Sequence, residues 1–135
     1  MQQIPVNVIA LVVVAVAKSF IGFLWYSPAL FGKVFVRLAG CDEKKLMKDF
    51  PRAIIVDIVA NFIMAFVLVH AVAYAGANSF AAGLAVGFFN WIGFVAVATL
   101  FSVNFEQRPL RLFFLNNGFQ LITIAIMGAV LAVWK

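Results

Sequence analysis

Four nearly uninterrupted apolar stretches, each of about 23 residues, limit what this chain can fold into. At a rise of about 1.5 Å per residue, such a helix reaches roughly 35 Å. That is enough to cross a hydrocarbon core of about 30 Å. The stretches cover residues 4–26, 53–76, 80–103 and 112–134. Of the 135 residues, 66% are hydrophobic and 11% are charged. Soluble domains average only about 45–50% apolar residues, so lipid is the expected solvent for most of this surface. The expected fold is an all-α membrane protein: one domain, 1–135, whose four transmembrane helices form a compact bundle.

The first stretch has to be distinguished from a cleaved signal peptide. Ala15-Val16-Ala17 matches a small-x-small cleavage site, yet Met1 to Asn7 carries no Lys or Arg and the apolar run continues to Tyr26. Without a basic n-region, it reads as a retained helix. Pro5 suits its first turn, where a missing N–H costs nothing. Pro28 ends it, because proline disfavours helix in the residue before it.

The connection 28–51 is the one long polar segment. In it Leu30, Phe31, Val34, Phe35 and Leu38 recur at helical spacing, with Lys33 and Arg37 on the other side. That predicts a short amphipathic helix in the membrane interface. Gly40 ends it, and Asp42 caps a second short helix reaching Phe50. Asn78 and Ser79 form a tight turn, and residues 104–111 a tight polar loop. Such short links make the second, third and fourth helices spatial neighbours.

Basic residues set the expected orientation. Six of the ten Lys and Arg, namely Lys33, Arg37, Lys44, Lys45, Lys48 and Arg52, fall in one connection. Arg108 and Arg111 lie in the loop on the same side, and Lys135 alone lies opposite. The positive-inside rule then puts both loops in the cytoplasm and both termini outside. Trp25, Tyr26 and Trp134 fall at the interfaces, where amphipathic rings prefer to sit. The net charge of +5 is thus a topology signal, and no nucleic-acid partner is expected. The two halves share one orientation and place polar residues early in the outgoing helix, which suggests a parallel internal repeat.

Polar residues inside the apolar stretches are the candidate site. Lys18 lies eight residues before Tyr26, about 12 Å deep, and Asp57 five residues after Arg52, about 7–8 Å deep. A charge at the bilayer centre costs at least about 2.5–3.5 kcal/mol unless paired or hydrated, so a direct or water-bridged Lys18–Asp57 pair is expected, with Arg52 or water as the rival partner of Asp57. Asn61 shares the face of Asp57. Asn116 and Gln120, with Thr123 and Met127, form a similar face on the fourth helix. Lys18, Asp57, Asn61, Asn116 and Gln120 are expected to form one polar network, either as helix-to-helix glue or as a transport site. Gly83 and Gly87, with Asn90 on the same side, form a G-x-x-x-G face for close helix packing, against another span or another subunit. His70 reads as an interfacial histidine. Cys41 is the sole cysteine, so no intramolecular disulfide and no Cys/His metal spacing arise. No catalytic, cofactor or metal residues are expected.

Trp25-Tyr26-Ser27-Pro28 followed by Phe31-Gly32-Lys33 resembles the signature of a bacterial membrane protein family called domain of unknown function 1761. Asn90-Trp91-Ile92-Gly93-Phe94, Phe105-Glu106-Gln107-Arg108-Pro109-Leu110, Asn117-Gly118-Phe119, Gly128 and Trp134 extend the resemblance over essentially the whole chain. It implies a compact four-span protein of the bacterial inner membrane and supplies no reaction. Two function classes fit the residues. One is a homo-oligomeric small transporter or channel, its small-molecule or ion substrate left open, built around the polar cluster. The alternative is an accessory or structural protein that docks lipid or a partner through its basic connection. An enzyme fits worst, since one Cys and one distant His offer no nucleophile–base pair.

Overall fold

The computed structural model describes Ile4 and residues 6–134; the expectations for Pro5 and Lys135 lie outside the described residues. Among the described residues the structure is all helical. In chain order it comprises α1 (Val8–Trp25), α2 (Gly32–Ala39), α3 (Glu43–Lys48), α4 (Phe50–Tyr74), α5 (Phe80–Asn90), a π-helical segment (Trp91–Ala96), α6 (Val97–Asn104) and α7 (Leu110–Val133). Four helices are long and apolar enough to cross a membrane: α1, α4, the continuous helix Phe80–Asn104, and α7.

Local chemistry sets the ends. The Asn7 side chain accepts from the Ala10 N–H at 3.2 Å and starts α1, later than the apolar run alone suggests. Asp42 accepts from the Lys44 N–H at 3.0 Å and starts α3, and Ser79 accepts from the Ala82 N–H at 3.1 Å and starts α5. Gly40, at φ 68°, ends α2 in the left-handed conformation that only glycine adopts without penalty. The second short helix ends at Lys48, before the expected Phe50. Asp49, at φ −91° and ψ 4°, breaks it and serves as the N-cap position of α4. Pro51 then falls in the first turn of α4, where proline is tolerated, so the second long helix begins three residues before the expected 53.

The turn after α1 is built from the Trp25–Gly32 sequence. Ser27 Oγ donates to the Leu24 carbonyl at 2.7 Å, Phe31 N to Trp25 O at 3.0 Å, and Gly32 N to Ser27 O at 2.9 Å. A Cβ on Gly32 would run into the Tyr26 carbonyl and lie 2.7 Å from the Ser27 carbonyl, so the reversal requires glycine here.

The core lies where α1, α4 and α7 meet. Ala10, Leu11 and Val14 pack with Ala65 and Leu68, and with Ile124, Met127 and Leu131. α7 is the central and most buried span, with α5 against its other side. The contact with α5 is glycine-made: a Cβ on Gly83 would meet the Gly128 carbonyl and lie 2.6 Å from Ala129 Cα, and one on Gly87 would lie 2.6 Å from Ile124 O. The G-x-x-x-G face is therefore filled by the chain's own fourth span. Of the two partners open to this face, another span or another subunit, the structure shows the first at Gly83 and Gly87. Asn90 does not extend this contact. Its Nδ2 donates to the Val86 carbonyl of its own helix at 2.8 Å.

The third span carries a feature the periodicity does not announce. Between α5 and α6 the helix widens over Trp91–Ala96. The Asn90 side chain takes a helix carbonyl on one side, and Thr99 Oγ1 donates to Val95 O at 2.7 Å on the other. Such side-chain competition for ladder carbonyls bends and loosens helices, and π segments re-aim the residues that follow.

Candidate functional site

Lys18 and Ser19 are neighbours in sequence and therefore about 100° apart around α1. That angle decides which of them meets which helix. Ser19 faces α4, where its hydroxyl donates to Asp57 Oδ2 at 2.8 Å. Asn61 Nδ2 donates to the same carboxylate oxygen at 3.1 Å and to Ser19 Oγ at 2.9 Å. Ser19, Asp57 and Asn61 thus form one closed polar cluster. Asn61 is 4% exposed, whereas Asp57 is exposed on the outer face of α4. The cluster opens into a groove lined by Asp49, Arg52, Ala53, Val56, Asp57 and Ala60.

Lys18 turns the other way, onto α7. It is 3% exposed, and its Nζ lies 4.4 Å from the centre of the Phe119 ring. The ring's negative face attracts the ammonium, and Asp57 attracts it through space. No direct ion pair joins the two. Among the described residues the one ion pair is Arg108–Glu106 at 3.8 Å, half exposed on the loop. Of the expected direct or water-bridged Lys18–Asp57 pair, the direct form is thereby corrected, and of the rival partners Arg52 makes no ion pair with Asp57 either. Asp57 is satisfied by a hydroxyl and an amide instead.

The polar residues also fail to make one network. Tyr26 donates its hydroxyl to Asn116 Oδ1 at 2.7 Å, linking the end of α1 to α7. Asn117, buried at 4% exposure, donates to Thr99 Oγ1 at 3.0 Å and to Phe113 O at 3.1 Å, linking α7 to α6. Thr123 donates to Phe119 O of its own helix. Gln120 joins none of these: its Oε1 is buried and unpartnered, as are Trp25 Nε1 and Trp91 Nε1. By the helical step of about 100°, Asn116, Gln120 and Thr123 do share a face of α7 and Asn117 turns away from it, yet Asn116 bonds to α1, Asn117 to α6 and Thr123 to its own helix, so a shared face does not become a shared network.

Phe119 is the hub that sequence patterning passes over. Its ring meets Tyr26 edge-on at 5.5 Å and Trp25 at 6.2 Å. Tyr26 in turn meets Phe35 at 4.8 Å, and Trp25 meets Phe31 at 4.7 Å. Trp25 and Tyr26, read as interface anchors, in fact lock α1, α2 and α7 together at the basic end of the bundle. Phe119 is one of 16 phenylalanines, so nothing local distinguishes it. Ser19 and Thr99 had a usable signal, since each is a polar residue inside an apolar run.

Chemically, the arrangement offers one carboxylate at span depth. One of its oxygens is taken up by two donors and its other face is open, so it can take a proton or a cation. Among the described residues no three His, Cys, Asp or Glu converge as metal donors. Over residues 9–132 the chain matches a family described as "Protein of unknown function (DUF1761)". No curated protein and no solved structure matches it.

Proposed function

Since the chain belongs to the DUF1761 family, whose description assigns no activity, we propose a role from its own geometry: a homo-oligomeric carrier or channel for small cations or protons, with Asp57 as the charged group of its pathway. The observation that carries this reading is the exposed Asp57 carboxylate, held on one side by Ser19 and Asn61, within a helix apolar and long enough to span a membrane. A charge at the bilayer centre costs at least about 2.5–3.5 kcal/mol, and intramembrane ionisable residues, often paired with one another, mark ion or proton pathways. One core cluster where α1, α4 and α7 meet is apolar and Asp57 is exposed on the outer face of α4, so the polar path runs along that face and needs a second copy to enclose it. The membrane is the bacterial cytoplasmic membrane, with the basic loops inside and both termini outside.

The reading is tested on purified protein in liposomes under imposed proton and monovalent-cation gradients. Flux that disappears in Asp57→Asn, in protein that still folds, supports it. Absence of flux under every gradient overturns it. The accessory reading draws on a different observation: Lys33, Arg37, Lys44, Lys45, Lys48 and Arg52 are all exposed, a surface suited to anionic headgroups or an acidic partner. Under that reading Lys44→Gln, Lys45→Gln and Lys48→Gln abolish the association with anionic lipid, and Asp57→Asn changes nothing.

A further inference from the structure

Numbered as a heptad, α4 carries Ala53, Val56, Ala60, Ile63 and Val67 along one seam. All five are exposed, while Asn61, Ala65, Leu68 and Val72 are buried on the side facing the bundle. Apolar residues alone would rest as well against lipid tails as against protein, so the seam by itself calls for no partner. Its flanks do. Arg52 lies on one side of the seam and Asp57 on the other, about 140° apart around the helix and about 7.5 Å apart along it. Both line the same groove. Arg52 has no ion pair among the described residues, and Asp57 uses only Oδ2 in its bonds to Ser19 and Asn61.

We propose that this face of α4 docks on the same face of a second copy of the chain, with Arg52 of each copy bonding Asp57 of the other. This rests on the reading of the chain as a membrane homo-oligomer. The charge pattern selects the occupant because it is self-complementary. In a parallel two-fold pair of helices, opposite flanks of the seam face each other, and flanking charges set partner and orientation. Each Arg52 then faces Asp57 of the partner subunit, across a rise that the long arginine side chain spans. An antiparallel pair over the length of α4 would carry Arg52 to the opposite end of the helix from Asp57 of the partner subunit. Two copies inserted by one topology signal are parallel, which is the arrangement the charges favour. Ala53 and Ala60, one heptad apart, keep the backbones close. Asp49 sits at the α4 N-terminus, in the polar connection where water screens it. The two-fold contact is isologous, so it closes at a dimer. The open side of the Ser19–Asp57–Asn61 cluster is thus completed by a residue from the other copy.

Cysteine cross-linking in native membranes tests this in the full chain, in a Cys41→Ser background. Oxidation should give disulfide dimers with Ala53→Cys and Ala60→Cys, and none with Ile55→Cys or Phe94→Cys, which are exposed on other faces. Arg52→Asp should cut the Ala60→Cys dimer yield about tenfold, and adding Asp57→Arg should bring it back to within about twofold. If Asp57→Arg does not fold, the Arg52→Asp comparison still decides, because Arg52 has no ion pair among the described residues. Dimers through Phe94→Cys in place of Ala60→Cys would overturn the α4 interface and leave the homo-oligomer standing. Absence of dimers at every position would overturn both. Ala60→Cys dimers indifferent to Arg52→Asp would overturn the charge pairing. Dimers as expected, in protein that carries no ion, would uphold the interface and overturn only the transport function.

Discussion

The ammonium of Lys18 sits 4.4 Å from the centre of the Phe119 ring, inside the bundle, with no carboxylate in contact. A buried charge relying on a ring face and an anion it does not contact is poorly compensated. A desolvated cation–π contact is worth about 2 kcal/mol or more, less than the cost of removing an ammonium from water. Lys18→Met should therefore leave stability unchanged or raise it. Phe119→Leu should lower it by about 2–4 kcal/mol, and by about 1–2 kcal/mol less in the Lys18→Met background, because the cation–π share is already gone. Unfolding in mixed micelles gives the cycle, and equal losses in the two backgrounds would remove the cation–π contact from the account.

Lys18 and Asp57 bond to different partners, so Lys18→Met and Asp57→Asn should act nearly additively on stability, with a coupling below about 0.5 kcal/mol. A large rescue in the double variant, read in the same unfolding assay, would show that they pair directly after all.

The helix contact built on glycine should tolerate no side chain. Gly87→Ala places a Cβ within 2.7 Å of the α7 backbone, and Gly83→Ala does the same. Each should cost about 1–3 kcal/mol, the usual range for overpacking. A Cβ on Gly93, in contrast, meets nothing within 4 Å, so Gly93→Ala should be neutral or stabilising. Melting temperatures of the three variants check this, and a tolerant Gly87→Ala would refute the close packing of α5 on α7.

Gly32→Ala should also destabilise, for a different reason: its Cβ collides with the turn that reverses the chain after α1. Protease sensitivity of the segment between α1 and α2 should rise in that variant, while Pro28→Ala should leave it nearly unchanged.

The hydrogen bonds between spans should matter little one at a time. Tyr26→Phe and Asn117→Val should each cost about 0.6 kcal/mol and no more than about 1.7, the range seen for interhelical polar contacts in membranes. Larger losses in unfolding experiments would mean that these bonds belong to something more than packing.

Cys41 supplies a topology test without any substitution. As the only cysteine, and a free one in the basic connection, it should react with a membrane-impermeant thiol reagent only after cells are opened. Labelling of intact cells would reverse the proposed orientation.

Sequence alone determined the number of spans, the polar connection with its two short helices, and the helix ends at Gly40 and Asp42. These follow from one-dimensional facts: run length against bilayer thickness, and the preferences of Asp42 and Gly40 for helix ends; the caps at Asn7 and Ser79 came from the structure. It also identified which residues were anomalous, since Lys18, Asp57 and Asn61 stand out in any apolar run. The partners of those residues were decided only by the tertiary structure. Ser19 takes the place expected of Lys18 because adjacent positions on α1 point to different helices, and only the packing shows which helix lies where. Phe119 becomes the resting place of an ammonium because α7 lies at the centre of the bundle, a property written in no single stretch. Gly83 and Gly87 announced a close contact, yet the sequence could not say whether another span or another copy filled it. The backbone of α7 at Gly128 and Ile124 does, because the single short loop 105–109 holds the third and fourth spans side by side.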